Sequence, residues 1–147
     1  MPLKLKKSDF IDYWKALNSA LSAKGGPVDP GTLKPKAKEY MTYRVDGHNG
    51  FSVDPKVWQN QKRLSVWLYI NDEDPKASFD RLELVKNRIE EKFGYPLEWE
   101  ENPKFKHRRI AYYKEGVNPE DRADWKKQHD WFVAHLNKLH RAIIGEL

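Results

Sequence analysis

The 147-residue chain contains no cysteine. This absence excludes disulfide bonds, thiol catalysis and cysteine-ligated zinc or iron–sulfur centres. The chain also has no apolar run near the ~18 residues that a membrane-spanning helix requires. Its N-terminal stretch, MPLKLKKSDF, is basic but lacks the apolar core of a signal peptide. We therefore expect a cytoplasmic protein without a membrane partner.

The common catalytic and nucleotide-binding motifs are also missing. There is no GxxxxGK(S/T) phosphate loop, no GxGxxG after a strand and no GxSxG serine motif. Neither Asp46 nor Asp54 is followed by a strand that carries the Asp/Glu-x-Lys pattern of an acidic nuclease core. The five histidines do not have the HExxH spacing of a zinc site. The sequence predicts no cofactor and no metal site, and it gives little support for catalysis by this chain alone.

Charged residues (33%) and aromatic residues (13%, including six tryptophans) are both abundant. Aromatic side chains supply much of the buried area of a fold, so the composition is that of a folded domain rather than a disordered tail. A chain of this length suits a single domain, which we place over residues 1–147. The net charge of +5 favours acidic partners such as nucleic acid, although 22 acidic residues are mixed among 27 basic ones.

Apolar residues at helical spacing predict three amphipathic helices. The first begins near Ser8 and ends at Gly25, where a glycine can adopt the left-handed conformation of a helix end. The second is capped by Asp74 and ends at Gly94. The third is capped by Asn118 and extends toward the C-terminus.

Alternating apolar and polar residues predict five strands. In order, they are Glu39–Val45, Phe51–Pro55, Leu64–Ile70, a strand that starts at Leu97, and Arg108–Lys114. Leu64–Ile70 is fairly apolar on both faces, which favours a central place in the sheet. Short turns between strands imply antiparallel pairing, and the order α-β-β-β-α-β-β-α predicts an α+β fold with helices on one face or at one end of the sheet.

The stretch LEWEENPKFKHRRIAYY is predicted to be a hairpin, and alternation puts Glu98 and Glu100 on one of its faces. Paired carboxylates can perform acid–base chemistry or hold a metal, which suggests a small metal-dependent enzyme using these two residues with Arg109 or His107. The alternative is a solvated hairpin face with cross-strand salt bridges.

Basic residues at the tip of this hairpin are the best candidates for contact with nucleic acid, because Lys and Arg can neutralise phosphates. The tip residues are Lys104, Lys106, His107, Arg108 and Arg109. Lys62 and Arg63 extend the candidate set, together with Trp58, which we place in an exposed, loop-like stretch. The nearby glutamates oppose this function because they repel phosphate.

A different class of function is a protein–protein or homodimer interface on the last helix. Trp131 and His135 flank its apolar stripe and are the candidate contact residues.

Several local patterns together resemble a bacterial and archaeal family, domain of unknown function 4268. They include the strand LSVWLYI, the segment FDRLELVKNRIEEKFGYPLEWEE, and RRIAYYKEGVNPEDRADWKKQHDWFVAHLNKL. The resemblance extends from about Phe10 to Ile143.

Members of that family often form the C-terminal part of longer proteins whose N-terminal part resembles a restriction-type or NucS-like endonuclease. The resemblance therefore implies a helper role near DNA cleavage, in restriction or phage defence. It transfers no catalytic residue to this chain. We expect a non-catalytic accessory module that contacts DNA or a nuclease partner.

Overall fold

The computed structural model describes residues 4–147, so the first three residues of the predicted domain lie outside the described part. An antiparallel sheet of five strands, in the order β1-β2-β3-β5-β4, organises the molecule. The strands are β1 (Tyr43–Arg44), β2 (Phe51–Trp58), β3 (Arg63–Ile70), β4 (Glu98–Glu100) and β5 (Arg108–Glu115). The predicted α+β class and five-stranded antiparallel sheet are confirmed, and β3 is the central strand.

Residues 4–147 also form four α-helices and one short 3-10 helix. The α-helices are α1 (Lys7–Lys24), α2 (Pro75–Glu83), α3 (Lys86–Phe93) and α4 (Trp125–Ile144), and the 3-10 helix is Arg122–Asp124. The single helix predicted after Asp74 is divided in two at Val85, where the backbone (φ −112°, ψ 23°) leaves the helical region. None of the helices in the described part is long and apolar enough to cross a membrane.

The start of the last helix was predicted too early. Asn118 does not cap α4; its side chain accepts a hydrogen bond from the backbone N–H of Glu120 (3.1 Å) within a turn. Asp121 then accepts one from Ala123 (3.2 Å) at the start of the 3-10 helix. Both side chains therefore accept hydrogen bonds from backbone N–H groups that precede α4. The helix itself begins only at Trp125.

The helices bury their apolar stripes against one face of the sheet. α4 lies against β2 and β3, α2 lies against β3 and β5, and both α1 and α3 pack on α4. The fully buried side chains of β3 on this face belong to the hydrophobic core, and they are Leu64, Val66, Leu68 and Ile70. The side chains of opposite alternation lie on the other face, which we call the open face.

The first strand is shorter than predicted because of a proline in its neighbour. Tyr43 and Arg44 pair with β2, and Tyr40 makes an isolated bridge to Lys56. Between these points, Met41 donates its N–H to the carbonyl of Pro55 (3.2 Å). Because proline has no N–H, Pro55 cannot donate a second hydrogen bond to the carbonyl of Met41. The ladder over Glu39–Val45 is therefore interrupted.

The second strand is longer than predicted. It pairs with β3 without a break from Phe51–Ile70 to Trp58–Arg63, and the turn between them covers residues 59–62. Trp58 is thus the last residue of a strand and half-buried, not part of an exposed loop. Lys62 closes the turn with a positive φ of 52°.

Candidate nucleic-acid interface on the open face

All five strands contribute side chains to the open face. The pairing registers place Asp54, Trp67, Ala111 and Glu98 in one row across the sheet. Ser52, Tyr69, Arg109 and Glu100 form the next row. Trp67 and Ala111 are buried and yet lie outside the hydrophobic core, as expected for side chains on the far side of the sheet.

Three cations and three aromatic rings alternate across this face. In spatial order they are Tyr113, Arg63, Trp58, Lys56, Trp67 and Arg109, and we call them the cation–aromatic row. The guanidinium carbon of Arg63 lies 4.3 Å from the ring centroids of both Trp58 and Tyr113. The row holds its cations by cation–π attraction, which keeps them in fixed positions on the surface.

Lys56 of β2 and Arg109 of β5 complete the row, and both lie near the ring of Trp67. Lys56 Nζ lies 3.7 Å from the Trp58 ring and 5.9 Å from the Trp67 ring, while the Arg109 guanidinium lies 4.7 Å from the Trp67 ring. Burial lowers the pKa of Lys56; Glu39 opposes this effect, and the positive charges of Arg109 and Arg63 add to it. Mutual repulsion among partly desolvated cations would be relieved by a bound anion.

Carboxylates neutralise part of this charge on the β4 side. Arg109 forms an ion pair with Glu100 (3.2 Å), and Arg63 forms one with Glu115 (3.6 Å). Tyr113 donates a hydrogen bond from its hydroxyl to the Glu100 carboxylate. The cross-strand salt bridge expected for a solvated hairpin face is therefore present. The described residues contain no group of three His, Cys, Asp or Glu side chains that could hold a metal.

Arg63 and Arg109 still reach solvent despite these ion pairs. Their side chains are 26% and 31% exposed. On the β1 side of the row, Lys36 and Lys38 lie near the ring of Tyr40, at 5.3 and 5.8 Å from its centroid. Lys36, Lys38 and Lys56 therefore lie on the side of the sheet away from the glutamates of β4, with the charge of Glu39 close to Lys56.

Asp54 occupies the middle of the open face and is only 4% exposed. Its Oδ2 accepts a hydrogen bond from the indole Nε1 of Trp67 (3.2 Å). Burial raises the pKa of Asp54 to about 7, and the nearby Ser52 hydroxyl and the hydrogen bond from Trp67 offset only part of this effect. A carboxyl group with such a pKa changes its charge near neutral pH.

The structure brings together four of the residues predicted from the sequence. Trp58, Arg63 and Arg109 belong to the cation–aromatic row. His107 lies at the end of the same face, where its ring is 5.0 Å from that of Tyr69. The remaining candidates with exposed side chains are Lys62 in the β2–β3 turn and Lys104 and Lys106 in the β4–β5 loop.

Arg108 lies on the opposite side of the sheet from Arg109 and is only 7% exposed. Its guanidinium donates hydrogen bonds to the carbonyls of Phe105, Lys106 and His107 at 2.5, 3.2 and 3.1 Å. The side chain closes the hairpin loop and is not presented to a ligand. This finding separates two arginines that the sequence placed in one basic tip.

Trp131 and His135 are half-buried in a stack of aromatic rings. Their rings are 4.4 Å apart and 24° from parallel, and both stack on Tyr112 of β5. His135 also contacts the carbonyl of Trp131 through Nδ1 (2.7 Å). These two candidates for a partner interface therefore contact each other and the sheet.

The sequence analysis missed several residues of the open face and of the segment that precedes β1. They are Lys36, Lys38, Tyr40, Asp54, Lys56 and Tyr69. Two signals could have identified them. Lysines recur at every second position in KPKAK, and the polar face of LSVWLYI carries Trp67 and Tyr69, two large aromatics.

Comparison with known proteins identifies one family and no individual relative. No curated protein and no solved structure gives a significant match to the chain. The model of one family, described as "Domain of unknown function (DUF4268)", matches residues 11–145, which is nearly the whole chain. The match covers every strand described above, all of α4 and most of α1. The chain therefore belongs to the DUF4268 family.

Proposed function

We propose that the open face binds single-stranded nucleic acid. The observation that carries this proposal is the cation–aromatic row, in which Lys56, Arg63 and Arg109 alternate with three aromatic rings. Proteins that bind single strands combine a basic surface that follows the phosphates with aromatic side chains that stack on bases. An antiparallel sheet with helices on one face and aromatics on the other is a known platform for such binding.

The charge distribution favours a path for the strand along β1 and β2. Glu98, Glu100 and Glu115 would repel phosphates near β4 and the end of β5. Lys36, Lys38 and Lys56 lie on the other side and would attract them. Bases could then stack against the half-buried rings of Tyr40 and Trp58.

The family resemblance supplies the biological context of this proposal. A module that holds a single strand would serve a nuclease-linked system by retaining a displaced or cleaved strand beside a nuclease partner. The chain itself would not cleave the strand. Incubation of labelled oligonucleotides with the protein and Mg²⁺ tests this point, and cleavage that is lost in Glu98→Gln would favour the metal-dependent enzyme instead.

Fluorescence anisotropy with labelled oligonucleotides tests the binding itself. Single-stranded DNA, RNA of the same sequence and the corresponding DNA duplex are titrated with protein over a series of salt concentrations. We expect the single strands to bind more tightly than the duplex, with log K falling linearly with log salt concentration. The DNA and RNA arms identify which single strand is preferred.

A triple variant assigns the binding to the open face. Lys56→Gln/Arg63→Gln/Arg109→Gln removes three cations of the row and should reduce the salt slope by about 2 for a single strand. The matched control, Lys7→Gln/Lys15→Gln/Lys127→Gln, removes the same charge from exposed helical positions and should retain the wild-type slope. Equal losses in the two variants would mean that only net charge matters, and would overturn the proposal.

A further inference from the structure

A small cavity opens beside the cation–aromatic row, between the segment that precedes β1 and strands β2, β3 and β5. Its volume is about 300 Å³. The side chains that line it are Tyr40, Thr42, Asp54, Lys56, Trp67, Tyr69 and Arg109. This volume is at the lower end of the range of small-ligand pockets, about 300 to 1,000 Å³, and suits one planar group rather than a large molecule.

Asp54, which lines this cavity, has one carboxylate oxygen without a hydrogen-bond partner. Oδ2 is bound to Trp67 Nε1, but Oδ1 is buried and has no hydrogen-bond partner. The hydroxyl of Ser52 and the backbone N–H of Tyr43 lie nearby and lower the pKa of Asp54, yet the Ser52 hydroxyl is itself without a partner. A buried acceptor without a partner is costly, and a ligand that donates to Oδ1 would remove that cost.

The charges around the cavity restrict the ligand. Lys56 and Arg109 in its wall disfavour a simple cation, and Asp54 disfavours a simple anion. A ligand that offers N–H donors at one end and a negative group at the other satisfies both conditions. A nucleotide has this combination, with N–H groups on its base and a phosphate at its sugar.

The shape of the walls favours a flat, aromatic ligand. Tyr40 and Tyr69 line the cavity, and the ring of His107 lies 5.0 Å from that of Tyr69. Tyr40 is held by its bridge to Lys56 on β2. Rings held by strands form a preorganised surface for a planar base.

We propose that this cavity takes one guanine base of the strand held on the open face, with the Asp54 carboxylate accepting hydrogen bonds from the guanine N1–H and N2 amino groups. Lys56 and Arg109 would contact the adjacent phosphate. The inference rests on the function proposed above and adds a base preference to it. Sites built to hydrogen-bond a polar group discriminate strongly against analogues that lack it.

Binding of thymine oligonucleotides with a single substituted position tests the proposal. The position carries guanine, inosine, adenine, cytosine or thymine, and the measurements are made at pH 8, where Asp54 with a pKa of about 7 is mostly ionised. We expect guanine to strengthen binding about tenfold over thymine, and inosine, which lacks the N2 amino group, to lose most of that gain. Equal affinities for all five oligonucleotides, or a preference for adenine or cytosine, would overturn the guanine assignment while leaving the proposed function intact.

Two variants link the preference to the cavity. In Asp54→Asn, an amide donor replaces one acceptor oxygen without a change in size, so the affinities for the guanine and thymine oligonucleotides should become equal. Tyr40→Ala should weaken the preference through loss of stacking. Asp29→Asn, at an exposed loop carboxylate, is the matched control and should retain the full preference. Thermal unfolding of each variant confirms that it is folded.

A separate measurement covers the case in which no oligonucleotide binds. Guanosine and adenosine monophosphates are titrated against the wild type while tryptophan fluorescence is recorded, because the Trp67 indole contacts Asp54 directly. A response to the guanine nucleotide that is absent in Asp54→Asn would support the cavity although the proposed function had failed. No difference between the two nucleotides would overturn the cavity proposal.

Discussion

The Trp67 indole donates a hydrogen bond of 3.2 Å to the Asp54 carboxylate across the β2–β3 pair, and neither side chain is more than 6% exposed. The bond satisfies one carboxylate oxygen and the only donor of the indole. The other oxygen of Asp54 remains without a partner. A carboxylate in this position lowers the stability of the fold when it is ionised.

This relationship predicts a pH-dependent effect of Asp54→Asn on stability. Burial raises the pKa of Asp54 from 3.8 to about 7, so the folded state binds more protons than the unfolded state between these two values. Wild-type stability should therefore fall, relative to the variant, as the pH rises from 4 to 7, by at most about 1.4 kcal/mol per pH unit. Above pH 7 the difference should be constant, with the variant more stable.

Thermal unfolding followed by circular dichroism from pH 4 to 8.5 measures this difference. Besides burial, the pKa of Asp54 depends on Ser52, Trp67, Lys36 and the backbone N–H of Tyr43. All of these groups are unchanged in the variant. Asp29→Asn controls for the loss of one negative charge. A difference between wild type and Asp54→Asn that does not vary with pH would contradict the prediction.

His129 should make the stability of the fold depend on pH in the opposite direction. It lies in the core with its ring 4.4 Å from that of Tyr13, and its Nε2 is buried without a partner. Burial lowers its pKa to about 4, whereas contact with the Tyr13 backbone and the charge of Asp130 act in the other direction. The unfolded state then binds more protons below pH 6.5, so stability is lost as the pH falls from 6.5 to 4.

Replacing His129 with Phe should remove this acid sensitivity. Urea unfolding at several pH values between 4 and 7.5 compares the variant with the wild type, and His48→Gln in the β1–β2 turn serves as the control. We expect the stability of the wild type to decrease more steeply on acidification than that of His129→Phe. If the stabilities of the wild type and His129→Phe changed with pH in parallel, His129 would not be the cause of the acid sensitivity.

Two glycines with similar φ angles should differ in their tolerance of a side chain. Gly47 and Gly50 have φ values of +77° and +87°, but a Cβ on Gly47 would meet no atom within 4 Å. On Gly50 it would lie 2.4 Å from the Cα of Asp72, which is backbone and cannot rotate away. Gly47→Ala should cost about 1 to 2 kcal/mol, the strain of a left-handed residue, and Gly50→Ala clearly more.

Denaturant unfolding of both glycine variants measures the two costs under the same conditions. Gly47→Ala is the internal control, because it introduces the same backbone strain in the same turn. A similar loss of stability in both variants would mean that the close approach of Gly50 to Asp72 is not rigid.

The fold could be predicted from the sequence where the pattern is local. The alternation in LSVWLYI identified β3 as a central strand, and apolar residues at helical spacing identified α1. The buried apolar side chains of α1 are Phe10, Tyr13, Trp14, Leu17 and Leu21. The length of β1 could not be read in this way, because it depends on Pro55 of the neighbouring strand. Strand pairing decides which backbone groups lack a hydrogen-bond partner, and pairing depends on residues that are distant in the sequence.

The candidate site was predictable only in part for the same reason. Arg63, Arg109 and Trp58 stood out by their residue type, but the cation–aromatic row requires the register that sets Trp58 opposite Arg63. The surroundings of Asp54 also follow from strand pairing, which sets Asp54 opposite Trp67 and Tyr40 opposite Lys56. Its cavity is formed by residues from three strands and the segment before β1, so no short motif indicates it.

Arg108 and Arg109 lie on opposite faces of the sheet, and their replacement should have different effects on stability. Arg108 is buried and donates to three loop carbonyls, so Arg108→Met should cost on the order of 2 kcal/mol of stability through the loss of charge-assisted hydrogen bonds. Arg109 is partly exposed in its ion pair with Glu100, so Arg109→Met should cost less than about 1 kcal/mol.

For binding of single-stranded nucleic acid, Arg109→Met should have the larger effect and Arg108→Met the smaller one. Arg109→Met removes a cation of the open face and should weaken binding and reduce its salt dependence, whereas Arg108→Met should leave the affinity of the folded fraction near that of the wild type. Chemical unfolding and anisotropy on the same two variants provide both measurements. If Arg108→Met weakened binding as much as Arg109→Met at temperatures where both are folded, the hairpin loop rather than the sheet face would be the contact surface. The basic tip predicted from the sequence would then be the correct site, because adjacent strand residues point to opposite faces and only a loop contact could use both arginines.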